Sequence, residues 1–139
     1  MPGERRRKPI KIGVRRSGGP PPGYRWTVEI VSQSFEEAMS FLNEEQYQHL
    51  AQQVRELALQ DDPTHSQTID IRPIEDFHEI RDKGGILQRI NCRVFYFVRK
   101  ESKTIVVIGT IKKENNGPTP MGDKIRMRRR MRQYLESFE

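Results

Sequence analysis

The sequence predicts an α+β fold, a small and mostly antiparallel sheet with helices packed on one face, in the order β-α-α-β-β-β-α. Three observations carry this. Residues 24–30 and 89–99 are apolar at every second position, and 104–113 is rich in Ile and Val, as strands are. Residues 35–58 and 127–138 repeat their apolar positions at the spacing of a helix. Asp61-Asp62-Pro63, Lys83-Gly84-Gly85 and Asn115-Asn116-Gly117-Pro118 interrupt these patterns as turn and stop signals.

Taken in order, residues 1–23 form an arm and 24–139 a domain. The arm carries Arg5-Arg6-Arg7-Lys8 and Arg15-Arg16, and closes on Gly18-Gly19-Pro20-Pro21-Pro22-Gly23. So few apolar groups cannot offset the entropy of ordering, so the arm reads as mostly disordered. It is either a solubilising tail or an electrostatic arm for RNA. Tyr24, Trp26, Val28 and Ile30 then alternate with polar residues as a half-buried strand. Phe35, Ala38, Phe41 and Leu42 make a short helical stripe. Asn43 and Gln46 have the spacing of a capping box, which starts a second helix through Leu50, Val54, Leu57 and Ala58.

Three strands follow. Residues 68–82 read as one strand, with Pro73 at an edge position or bulge. In 89–99, Ile90, Cys92, Val94, Tyr96 and Val98 share the face given to the helices. The other face carries Arg93 and is expected to be free for a ligand. Residues 104–113 should be the central strand. Thr119-Pro120 suits an N-cap and first helical position, and a basic helix follows. Its apolar side holds Met127, Met131, Tyr134, Leu135 and Phe138, and Arg126, Arg129, Arg130 and Arg132 cover much of the rest.

Charge narrows the function classes. The 139 residues hold 25 Lys+Arg and 19 Asp+Glu, a formal +6. Residues 1–25 carry net +7, residues 26–121 net −4 and residues 122–139 net +3, so a basic arm and a basic last helix flank a mildly acidic body. No apolar run approaches the ~20 residues of a membrane span, and no apolar stretch follows the basic start as in a signal peptide. A cytoplasmic protein with a polyanionic partner is the expectation. The single cysteine, Cys92, excludes an intrachain disulfide framework. His49, His65 and His78 lack metal-ligand spacing, so neither a metal nor a cofactor is expected. Cys92 reads as a buried thiol and Tyr96 as core.

What remains is a set of cations. Arg81 closes one strand, Arg93 lies in the next, and Lys112-Lys113 ends the last. Fixed cations suit a substrate whose charge grows in the transition state, as at a phosphate; they are equally the strand-end charges of a basic protein.

The run Phe77-His78-Glu79-Ile80-Arg81, the Gly84-Gly85 turn, Arg93-Val94-Phe95-Tyr96-Phe97, Ile105 through Lys113, and Thr119-Pro120 before a basic helix resembles the RelE/HigB toxin superfamily. The likeness is to its HigB-like, phage-derived branch. It spans about residues 24–136 and is most specific from Glu79 to Pro120. It implies a RelE-like fold and a toxin of a type II toxin–antitoxin system. That activity is ribosome-dependent mRNA cleavage, in which the ribose 2′-OH attacks the adjacent phosphate without a metal. The implied partners are a cognate antitoxin, of helix-turn-helix type, mRNA on the ribosome, and 16S rRNA, with no membrane.

By the same resemblance Arg93 stabilises the phosphorane, Arg81 holds phosphate or rRNA, and Lys113 or Lys112 supplies a second cation. Adjacent strand residues point to opposite faces, so one lysine of the pair faces the phosphate. Glu79 is either a general base or the salt-bridge partner of a neighbouring arginine. Arg89, Arg126, Arg129 and Arg130, with Arg81, are the candidate RNA contacts. The alternative is a non-catalytic binding protein of the RelE/ParE fold, acting as a gyrase inhibitor or an rRNA-binding module.

Overall fold

The computed structural model describes residues 10–11 and 20–137. Its strands are β1 (Ile10–Lys11), β2 (Thr27–Val31), β3 (Asp70–Ile74), β4 (Phe77–Lys83), β5 (Asn91–Arg99) and β6 (Thr104–Lys113). Its helices are α1 (Ser32–Phe41), α2 (Glu44–Leu57) and α3 (Met121–Glu136). The strands form one sheet in the order β1-β2-β6-β5-β4-β3. All neighbours are antiparallel except β2 and β6, which run parallel from Thr27 opposite Thr104. The fold is α+β with a mostly antiparallel sheet, and β6 is central as its Ile/Val content requires.

The helical hairpin forms as its caps dictate. Asn43 accepts a hydrogen bond from the Gln46 amide (2.8 Å), and the Asn43 amide donates to Gln46 Oε1 (2.9 Å), a complete capping box. Leu50, Val54, Leu57 and Ala58 are buried on the sheet. Opposite them lie Val28, Ile80, Cys92, Val94, Tyr96, Ile105 and Val107.

Four expectations need correction. The stretch 68–82 is two strands, because the chain reverses at Glu75 and Asp76, with Glu75 at φ 56. Pro73 lies in the edge strand β3, where a missing N–H costs no ladder bond. The second sheet face is not free: α3 covers it, burying Met127 and Tyr134 against Val31, Phe77, Phe95, Phe97, Val106 and Ile108. The sheet is therefore buried on both sides, so β2 is not half-buried. Thr27 and Glu29 are as enclosed as Val28, and the Tyr134 hydroxyl donates to Glu29. Finally, Thr119 does not cap α3; Pro120 is the N-cap residue, and the Thr119 side chain is used elsewhere.

Two features fix α3 against β6. Gly109 leaves room for Met127; a Cβ at that position would sit 2.2 Å from Met127 Sδ. Glu37 of α1 accepts from both terminal nitrogens of Arg130 (3.0 and 2.6 Å) and from the Thr110 amide (3.0 Å). Arg130 also donates to the Ile108 carbonyl (2.8 Å). The ion pair thereby satisfies backbone groups of β6 where β2 no longer pairs with it.

Of the arm, Ile10 and Lys11 pair with Val31 and Ile30. Most of the residues expected to be disordered lie outside the described ones, as does Phe138. Among the described residues no helix is long and apolar enough to cross a membrane.

Candidate functional site

The strand register brings the predicted cations together. Arg81 lies directly opposite Arg93, Lys83 opposite Asn91, and Asn91 opposite Lys113. Paired residues share a face, so Arg81, Lys83, Arg93 and Lys113 all lie on the α3 side of the sheet, at the end where α3 begins. Lys112 pairs with Cys92 and points to the hairpin side. Lys113 is thus the member of the lysine pair that joins the arginines.

Two arginines side by side repel unless a counter-charge lies between them. Glu79 supplies it from two residues before Arg81. Its carboxylate accepts from Arg81 Nε, and Arg93 approaches the same oxygen at 3.8 Å. The Thr119 hydroxyl donates to the other oxygen. Of the two roles Glu79 was given, the salt bridge is the one the geometry shows.

Arg93 is fully enclosed, at 0% exposure. It donates to the Gly117 carbonyl (2.5 Å) and the Thr119 hydroxyl (3.1 Å), while Nε has no hydrogen-bond partner. Burial pulls its pKa below the usual arginine value, and Glu79 opposes that shift. Arg93 therefore does not stand on an open face, as its strand position suggests. It is a buried post. Arg81, about one-fifth exposed, and the ammonium groups of Lys83 and Lys113 form the accessible rim around it.

The segment 114–120, between β6 and α3, lies across this cluster. Lys83 Nζ donates to Asn116 Oδ1 (3.1 Å), and Lys113 Nζ to Asn115 Oδ1 (3.3 Å). Asn91 Nδ2 donates to the Asn115 carbonyl (2.8 Å) and to Asn116 Oδ1 (3.2 Å). Asn115 Oδ1 also accepts the Gly117 amide (2.8 Å), which holds the segment in a tight turn.

The remaining predicted contacts are scattered. Arg89 and Arg129 are exposed. Arg126 and Arg130 are drawn to Glu37, at 3.6 and 2.6 Å, so neither presents a free guanidinium. Lys83, Asn91, Asn115, Asn116 and Thr119 were not anticipated as members of the site. Counting by twos from Arg81 and Arg93 reaches Lys83 and Asn91, so those two carried a usable signal. The asparagines carried only a turn signal.

Cys92 is buried as expected, and burial beside Asp82 pushes its thiol pKa up to about 12, far from a reactive thiolate. Tyr96 is core, and its hydroxyl donates to the Pro63 carbonyl (2.7 Å). His49 pairs with Asp82 at 2.7 Å. No group of three or more His, Cys, Asp or Glu side chains among the described residues is arranged to hold a metal ion. A scan against protein-family models finds no match to this chain, and a search of curated proteins likewise finds none.

Proposed function

We propose that the chain is a RelE/HigB-type toxin that cleaves mRNA on the ribosome, through attack of a ribose 2′-OH on the adjacent phosphate. The observation that carries this reading is the convergence of Arg81, Lys83, Arg93 and Lys113 from three adjacent strands on one end of one sheet face. A phosphorane gains negative charge as it forms, and preorganised cations stabilise it more than they stabilise the substrate. In this reading Arg81 and Lys113 face the phosphate, and Arg93 holds the field beneath them. The element order is compatible with the same reading, with β1 and β3 added edge strands. The partners that go with it are a helix-turn-helix antitoxin, ribosome-bound mRNA and 16S rRNA, in the cytoplasm.

One observation favours a second reading, a non-catalytic binding protein on the same fold: Arg93 is fully buried and its terminal nitrogens are already engaged by Glu79, Thr119 and Gly117. A single assay separates the two. Purified protein is added to ribosomes carrying mRNA, and the cleaved ends are analysed. The toxin reading expects 2′,3′-cyclic phosphate ends, and a loss of ~10²-fold or more in cleavage for Lys113→Ala with Arg81→Ala. Ribosome binding without any cleavage by the unaltered protein would establish the second reading instead.

A further inference from the structure

Lys83, Lys113 and Arg93 each donate to segment 114–120, and every acceptor they use there is a neutral oxygen. Lys83 uses Asn116 Oδ1, Lys113 uses Asn115 Oδ1, and Arg93 uses the Gly117 carbonyl and the Thr119 hydroxyl. Asn91, the neutral residue between the lysines, donates to the same segment. The local charge is lopsided. Arg81 and Arg93 share one carboxylate, Glu79; the nearby Asp70 is taken by Arg72 at 2.8 Å, Asp82 lies on the other face with His49, and Glu114, beside Lys113, is exposed.

A cation bound to a carbonyl or amide oxygen is satisfied geometrically but not electrically. A phosphate adds to such a hydrogen bond the Coulomb attraction of an opposite charge, and its oxygens match ammonium and guanidinium donors directly. Asn116 Oδ1 occupies Lys83 and Asn115 Oδ1 occupies Lys113, on the two sides of Asn91. Those donors are exposed, so exchange of partners costs little desolvation. The connection to Arg93 is deeper and anchors the end of the segment at Thr119.

We infer that segment 114–120 is a displaceable strap over an anion site, and that backbone phosphates of RNA take the place of the Asn115 oxygen on Lys113 and the Asn116 oxygen on Lys83. The inference rests on the RNA-directed reading above. It adds a closed resting state in which the chain's own amides compete with substrate. Binding then carries the cost of lifting the strap, so apparent affinity is lower than the open site would give.

The test uses the full chain and a 2′-O-methyl single-stranded RNA of about ten nucleotides, which the 2′-OH reaction cannot cleave, with fluorescence anisotropy as the readout. Asn115→Ala with Asn116→Ala removes the competing oxygens and should tighten binding several-fold. Asn116→Asp places a carboxylate against Lys83 and should weaken it several-fold. Lys83→Ala with Lys113→Ala should weaken binding ~10-fold or more. Unchanged or weaker binding by the alanine pair overturns the strap, even where the lysine pair matters. If the alanine pair fails to fold, judged by circular dichroism, Asn116→Asp decides: weaker binding supports the strap and unchanged binding overturns it. No effect from removing both lysines overturns instead the reading that RNA meets this cluster.

Discussion

The two faces of the sheet are built on opposite principles. Toward the hairpin, β5 presents Cys92, Val94 and Tyr96 to Leu50, Val54, Leu57 and Ala58, and the contact is almost wholly apolar. Toward α3 the same strand presents Arg93, Phe95 and Phe97. There the apolar centre is bounded by polar groups, the half-buried pair of Glu37 with Arg130 and the buried sets of Glu29 with Tyr134 and Glu79 with Arg93 and Thr119. Apolar burial is non-directional and tolerates small shifts. A buried ion pair tolerates almost none, since any displaced partner leaves an uncompensated charge. The hairpin face therefore supplies much of the stability, and the α3 face fixes where the helix and the strap after β6 must lie.

The sharpest way to break this comparison is to remove one charge from the polar face. Arg93→Ala is expected to destabilise the protein by about 3–5 kcal/mol, because Glu79 stays buried with less compensation. Arg93→Met combined with Glu79→Gln should cost less than Arg93→Ala alone. Urea denaturation of the three proteins measures both. A double variant worse than the single one would mean that the face is not governed by charge balance. It follows that loss of activity in Arg93→Ala does not by itself identify a chemical role, whereas Arg81 and Lys113 on the rim report on function more directly.

A milder test probes fit rather than charge. Gly109→Ala drives a methyl into Met127, which is fully buried, and should cost about 1–3 kcal/mol as the thioether finds another rotamer. The same urea curves report it, and a neutral result would show that α3 floats on β6.

The smallest effect is on the hairpin side. His78 stacks on Tyr96, and burial holds its pKa below the ordinary histidine value, so the folded protein prefers the neutral ring. A depressed pKa contributes stability above the unfolded value, ~6.5, and that contribution is lost as pH falls through and below it. The melting temperature of the wild type should therefore fall more between pH 7.5 and 5.5 than that of His78→Phe. Equal falls would show that His78 contributes no pH dependence.

How far the sequence reached follows from the same contrast. Apolar periodicity located the hairpin, its capping box, β5 and β6, because those signals are local and repeat along the chain. It merged β3 with β4, since a two-residue reversal at Glu75 and Asp76 carries neither Gly nor Pro. It left one face open because the apolar side of α3 does not say which surface it seeks. The cations of the site were legible as residues. Their arrangement was not, since Arg93 is buried by Gly117, which announces only a turn, and by Thr119, which reads as a helix cap. A surface arginine and a buried one are written with the same letter.

The parallel pairing of β2 with β6 has a consequence for how the chain is made. β2 precedes β6 in the chain, yet beside the two-residue β1 its sheet neighbour is β6, and the hairpin, β3, β4 and β5 all lie between them. Closing so long a loop forfeits entropy before any contact repays it, which slows folding relative to a chain of local hairpins. On the ribosome, α1 and α2 emerge after β2 but before the other strands they cover. Their apolar stripe must wait, exposed, until β4, β5 and β6 have left the exit tunnel and the sheet assembles. α3, which follows β6 in the chain, then seals the opposite face. A chain released before Met127 and Tyr134 are added would keep its hairpin but expose Phe95, Phe97, Val106 and Ile108, a surface prone to aggregation.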